Sequence, residues 1–162
     1  MNLRIPLAIM LCAFSCSSVA AADGEAKGNL SYKGTTVTLK HAYLIKGPDD
    51  VDAKKIIRRL ILSQTDLGAT IRNCKTMNCV DGEITEGMQV DFDAGPRLNY
   101  WVALNGGRLQ YSGTAEPSVV KVAAGDPRRL PGKLSIDGTA AGGPRVEVEF
   151  AATLLKEFTA AR

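Results

Sequence analysis

Leu98-Asn99-Tyr100-Trp101-Val102-Ala103-Leu104-Asn105-Gly106-Gly107-Arg108-Leu109-Gln110-Tyr111-Ser112 is the stretch whose reading decides the fold. Two runs of apolar, aromatic and strand-forming residues flank Asn105-Gly106, and Asn-Gly between such runs is the strongest short-range hairpin signal. Tyr100 and Val102 share one face of the first strand, Trp101 and Ala103 the other. One of these faces must be core, so either Tyr100 or Trp101 is left outside. A lone Trp is on average highly buried, which makes core packing the first expectation for Trp101.

Working outward, the same grammar repeats. Met88, Val90 and Phe92 alternate with Gln89, Asp91 and Asp93, the pattern of a half-exposed strand. Val119-Val120-Lys121-Val122 is a short strand, Lys133-Leu134-Ser135-Ile136-Asp137 another, and Val146, Val148 and Phe150 alternate with Glu147 and Glu149. Towards the N-terminus, Leu30-Ser31-Tyr32 and a long run from Thr35 to Ile45 flank the turn pair Lys33-Gly34, which reads as a first hairpin with Val37, Leu39, His41, Tyr43 and Ile45 on one face. Gly47-Pro48-Asp49-Asp50 is expected to end it. Residues 54–63 fit either a helix face or an Ile-rich buried strand, and the strand is the chosen reading. Thr65-Asp66 opens a short helix running to about Asn73. Seven to nine short strands, one short helix and no repeated long crossover helices predict a mainly β fold, specifically an antiparallel immunoglobulin-like β-sandwich, in one domain over residues 23–162.

Residues 1–22 read as a secretory signal peptide. Arg4 is followed by the apolar run Ile5 to Phe14 and the small-residue exit Ser15 to Ala22. The apolar run is too short for a permanent membrane anchor, and no later segment is apolar enough to span a bilayer. Phe14 makes Ala13-Phe14-Ser15-Cys16 a poor lipidation site. The expected mature protein is therefore periplasmic or secreted. The chain carries 20 basic and 17 acidic residues for a net charge of +3. Its densest basic stretch, Lys54-Lys55 with Arg58-Arg59, has no interleaved aromatics, which argues against nucleic-acid binding.

Cys12 and Cys16 leave with the leader. The remaining pair, Cys74 and Cys79, is read as a structural disulfide that shapes a local loop. The four residues between them do not match a redox Cys-x-x-Cys, and a zinc site would need two further ligands.

The opening Gly28-Asn29-Leu30-Ser31-Tyr32-Lys33-Gly34 into Leu39-Lys40-His41-Ala42-Tyr43-Leu44 resembles that of a group of uncharacterised exported bacterial proteins. So does the close, Gly132 to Asp137 and Ala140 to Phe150. The resemblance implies an immunoglobulin-like sandwich in the cell envelope, and it brings no catalytic residues.

The chain has a single histidine. A multi-histidine metal site is excluded within one chain, and a histidine triad could be built only on His41. No Gly-x-Ser-x-Gly elbow is present. Asp49, Asp50 and Asp52 lack the spacing of a calcium loop. Asp81, Glu83, Glu86, Asp91 and Asp93 could do glycosidase work only if two of them meet across a cleft, and an exposed strand edge is the plainer reading. Met77 inside the cysteine loop is a soft donor without a nearby second. No catalytic residue, cofactor or metal is assigned. The candidate contact residues are Tyr100, Trp101, Asn105 and Tyr111 of the hairpin, Met77 of the cysteine loop, and His41. The expected function is a non-enzymatic exported envelope module that recognises a protein or a glycan. The second reading is a small periplasmic hydrolase using His41 or paired carboxylates, and the third is a module that self-associates through an uncovered edge strand.

Overall fold

In the computed structural model of the chain, residues 24–162 are described, so the leader expected over residues 1–22 lies outside them. The fold is mainly β, with 55% of residues in strands and 13% in helices. The strands are β1 (Glu25–Tyr32), β2 (Thr35–Pro48), β3 (Ile56–Ser63), β4 (Gly87–Phe92), β5 (Leu98–Leu104), β6 (Arg108–Ala115), β7 (Val120–Val122), β8 (Arg129–Asp137) and β9 (Arg145–Glu157). Among the described residues one α-helix, α1 (Gly68–Asn73), follows β3, and short 3-10 turns at Met77–Cys79 and Asp81–Glu83 lead into β4.

The two packed sheets of the expected immunoglobulin-like sandwich do not form. All nine strands join one sheet in the order β6-β5-β4-β3-β2-β1-β9-β8-β7, curled into a half-barrel. Strand spacing along a sequence is the same for two flat sheets and for one bent sheet, so the pattern alone did not separate them. The bend lets one sheet supply both walls of its own core. Leu30, Leu39, Leu44, Leu60, Leu62, Val90, Val102, Leu134, Val148 and Phe150 all meet in one cluster on the concave side. Tyr111 on the edge strand β6 meets the ring of Tyr32 on β1 edge-on at 5.5 Å, although four strands separate β6 from β1 in the sheet.

Both predicted hairpins are present. Lys33 and Gly34 both have positive φ (47° and 82°), the geometry of a two-residue turn whose twist matches its strands. Asn105, Gly106 and Gly107 all have positive φ as well, in a three-residue loop between β5 and β6. Residues 56–63 form the strand chosen over the helix.

The break expected at Gly47-Pro48-Asp49-Asp50 falls at Pro48, the last residue of β2, with Gly47 still paired to Ile57 and Pro48 to Ile56. A Cβ at Gly47 would stand 3.0 Å from the Met77 sulfur and 3.1 Å from Phe158, so a glycine here lets the neighbouring segment close onto the sheet. The apolar phase of β2, however, slips. Val37 and Leu39, then Ala42 and Leu44, face the concave core, while Tyr43 and Ile45 belong to a second cluster on the convex face. The slip coincides with a bulge opposite, between Glu25 and Gly28 of β1. His41 therefore does not share a face with Leu39. Finally, β9 runs on to Glu157, because beyond Phe150 both of its faces are covered and the polar alternation is lost.

The second cluster holds Tyr43, Ile45, Ile57, Ile61, Leu67, Ile71, Met77, Val80, Ile84 and Phe158. Residues 64–86 and the C-terminal tail lie over the convex face of β2 to β4 and bury these side chains. The tail accepts from the backbone N–H groups of Met77 and Asn78 through Ala160 and Ala161, at 3.1 and 2.9 Å. Lys156 donates to the Arg72 carbonyl at 2.7 Å and to the Cys74 carbonyl, satisfying the end of α1. Cys74 and Cys79 stand at disulfide distance, 2.08 Å between sulfurs. Among the described residues no helix is long and apolar enough to cross a membrane.

Candidate functional site

Beside this cover the convex face stays open as a cleft of about 620 Å³. Its floor is the convex side of β3, β4 and β5, carrying Arg59, Gln89, Asp91, Asn99, Trp101 and Ala103. The walls are the β2–β3 loop (Asp49, Asp50, Val51, Asp52, Lys55), Asp81 and Ile84 of the covering segment, and Gly107 and Leu109 of the hairpin. Val51 and Leu109, two of the few large apolar side chains left exposed, stand on opposite rims at 96% and 61% exposure.

Sheet register builds the floor. Arg59 pairs directly with Asp91, and Asp91 with Asn99, so the three side chains form a row across β3, β4 and β5. Gln89 and Trp101 form the adjacent row. The Arg59 guanidinium holds Asp91 in a two-pronged grip, Nε to Oδ1 at 2.5 Å and Nη2 to Oδ2 at 2.8 Å, and gives Nη1 to Asp81 Oδ1 at 2.5 Å. It also lies 5.9 Å from the Trp101 ring centre, within cation–π range. Arg59 and Asp91 are buried, and Asp81 is half-buried.

Burial opposes the Arg59 charge, but the hydrogen bonds and charge of Asp91 and then Asp81 overcome it and hold the guanidinium above its ordinary value. Burial raises both carboxyls, with Arg59 pulling the other way. One cation shared between two carboxylates leaves a net negative charge under the cleft. Asp50 on the wall is lowered, first by the Asn78 amide that donates to it and then by Arg162.

The sequence candidates scatter around this cleft. Trp101 lies in it, half-buried on the convex face, and so is not the core residue that a lone tryptophan suggests. Asp81 and Asp91 also meet here, and the exposed strand edge expected for Asp91 is replaced by a buried ion pair in a central strand. Asn105 sits at the exposed tip of the hairpin. Tyr100 is buried in the concave core, stacked on the half-buried Tyr111 at 5.8 Å. Met77 is buried under the cover, with 1% of its surface exposed.

His41 lies outside the cleft, on the convex face opposite Ser63 and stacked on Tyr43. Ser63 is fully buried and gives its hydroxyl to the Thr65 carbonyl at 2.7 Å, so this neighbour pair is not a base with an accessible nucleophile. Tyr43 instead gives its hydroxyl to Asp66 at 2.5 Å and receives the Leu67 N–H at 3.0 Å, which pins the start of α1. Burial and then Asp66 push the Tyr43 hydroxyl up to about 12.

Arg59, Gln89 and Asn99 were missed in the sequence. The available signal was register: with the hairpin and the strand at residues 56–63 in place, pairing them through β4 puts Arg59, Asp91 and Asn99 in line. No protein family matches the chain, and no curated protein or solved structure matches it.

Proposed function

We propose that the chain is an exported envelope protein and a non-enzymatic binding module, whose convex cleft recognises a glycan. The observation that carries this reading is Trp101 in the cleft among Asn99, Gln89 and the Arg59–Asp91 pair. An aromatic ring offers the apolar C–H face of a sugar a flat partner. The Asn99 and Gln89 amides and the carboxylates held by Arg59 present donors and acceptors to its hydroxyls. The Arg59 grip keeps the Asp91 and Asp81 carboxylates in place before a ligand arrives, which reduces the ordering cost of binding. Val51 and Leu109 on the rims supply apolar contact.

A second reading, a hydrolase, draws on one observation: two carboxyls raised by burial, Asp81 and Asp91, share this cleft. General acid–base work needs a carboxyl free to exchange its proton with substrate. Both here are committed to Arg59, which favours binding over turnover.

The single tryptophan is a built-in probe. Mature protein titrated with oligosaccharides of envelope type should show a saturable change in Trp101 fluorescence. Calorimetry should show the affinity reduced at least tenfold by Asn99→Ala. Absence of any saturable response up to millimolar sugar overturns the glycan reading, and release of free sugar or shortened oligomers during the titration replaces it with the hydrolase. Export is tested by mass analysis of cell-produced protein, expected to start near residues 21–23 without a lipid.

A further inference from the structure

Charge is not spread evenly over the molecule. The chain carries a net +3, yet the convex cleft is lined by five aspartates (Asp49, Asp50, Asp52, Asp81 and Asp91) against two cations. Both cations are engaged within the protein. Lys55 gives its ammonium to the Ala94 carbonyl at 2.5 Å, and Arg59 is held by Asp91 and Asp81. On the wall, Asp49 and Asp52 each use only Oδ1, to accept the Val51 and Lys54 N–H groups of their own loop at 2.7 and 3.1 Å. The second oxygen of each accepts no hydrogen bond among the described residues.

We infer, resting on the glycan reading of this cleft, that the sugar it selects is an amino sugar whose protonated amine is received by the Asp49 and Asp52 carboxylates while its ring lies on Trp101. The cavity carries this together with its charge. Its volume of about 620 Å³ falls within the range of small-ligand pockets, about 300–1,000 Å³. The half-buried Trp101 ring is a floor that attracts a C–H surface and a cation alike. Val51, between Asp50 and Asp52, holds its side chain 96% exposed on the rim. An apolar contact flanked by carboxylates suits a ligand that is apolar on one side and cationic on the other. An ammonium has three donors and no acceptor, and its hydrogen bonds to carboxylate are about twice as strong as neutral ones.

The wall and the floor also feel each other. Burial raises the Asp91 carboxyl, and the charges of Asp49 and Asp50 add to that rise. A cation entering between wall and floor relieves this repulsion, a neutral sugar leaves it in place, and an anionic sugar adds to it. The rest of the chain is net positive, so the cleft is where the field of the molecule draws a cationic ligand.

The test uses the mature chain with its native disulfide and two matched probes, glucosamine oligomers and N-acetylglucosamine oligomers of the same length. In low salt, at a pH where the amine is protonated, Trp101 fluorescence and calorimetry should show the amino form binding at least tenfold tighter. The margin should shrink at high salt. Asp49→Asn with Asp52→Asn keeps both loop-capping oxygens and should bring the amino form down towards the acetylated one. Glu147→Gln with Glu149→Gln makes the same change of charge on exposed residues of β9 and should keep the margin. Equal or tighter binding of the acetylated form overturns the amine inference and leaves the glycan reading standing. So does a margin that survives the Asp49 and Asp52 changes, or one lost equally in the β9 variant. Spermidine, a polyamine without a sugar ring, binding as tightly as the amino sugar overturns the glycan reading instead. No saturable response to either sugar overturns both.

Discussion

The convex face of the sheet is divided into two regions that treat the same motif in opposite ways. Over β2 to β4 it is roofed by residues 64–86 and the C-terminal tail. Over β7, β8, β9 and β1 it is bare, with a row of Lys121, Lys133, Glu149 and Lys27 facing solvent. Each region contains a cross-strand ion pair between directly opposed residues, Arg59–Asp91 in the first and Lys133–Glu149 in the second. The first has side chains 6% and 5% exposed, the second 67% and 64%. Water decides what each pair is worth. An exposed pair exchanges solvation for contact at little net gain. A buried pair has already lost its water, so removing one partner strands the other.

The largest effect should come from cutting the dry pair. Asp91→Ala is expected to cost about 3–5 kcal/mol in chemical denaturation, towards the lower end because Asp81 keeps one bond to Arg59. Replacing both partners, Arg59→Met with Asp91→Leu, should recover most of that loss. A single variant costing under about 1 kcal/mol would show that water reaches the pair and erase the contrast between the two regions.

The roof itself comes next. Replacing Cys74 and Cys79 by Ser should lower stability by about 2 kcal/mol, the chain-entropy value for so short a loop. Protease cleavage within residues 64–86 should then precede global unfolding, while the bare region keeps its protection.

Tyr43→Phe removes the hydroxyl that holds Asp66 and the Leu67 N–H, for an expected cost of about 1–2 kcal/mol. This variant also carries a pH signature. The Tyr43 hydrogen bond, followed by the Gly68 N–H, lowers Asp66 from its ordinary 3.8 in the folded chain. A depressed carboxyl stabilises the fold above 3.8 and loses that contribution as pH falls through the lower, folded value. Tyr43→Phe should flatten that acid limb, and an NMR titration of Asp66 should show its midpoint rising.

The smallest effect belongs to the bare region. Lys133→Ala should leave the melting temperature unchanged within error, and a clear drop would mean that this surface is covered in solution.

The contrast also explains which parts of the molecule were legible beforehand. Hairpins announce themselves locally: Lys33-Gly34 and Asn105-Gly106 have the residues that a positive-φ turn demands. The disulfide was readable from two leftover cysteines. The helix up to Asn73 followed from its polar start, whereas periodicity left residues 54–63 open between helix and strand, and only the Ile-rich run pointed to the strand that forms. The β4 strand deceived, because Gln89 and Asp91 alternate with apolar residues as on a wet face. They are polar because they satisfy Arg59 and Asp81 and are themselves buried in the floor of the cleft, and alternation cannot distinguish a wet polar face from a dry paired one. Sheet count was hidden for a related reason, since curvature arises from bulges and distant ring contacts such as Tyr32 with Tyr111. Of the cleft, only Trp101 and the two aspartates carried a signal of their own; Arg59, Gln89 and Asn99 became visible through register.

One junction has a practical consequence. Between β2 and β9 the strand β1 acts as a wedge: Gly24 gives its N–H to Ala151 and receives that of Ala42, at 2.7 and 2.8 Å, and from Tyr43 onward β2 pairs directly with β9 in parallel. The sheet thus zips shut immediately beyond the wedge, with β2 and β9 paired to each other from Tyr43 and Thr153 onward. A cargo or affinity handle joined before Gly24 should hang outside the hydrogen-bonded framework, which makes this end the natural point for immobilising the protein while leaving the cleft free.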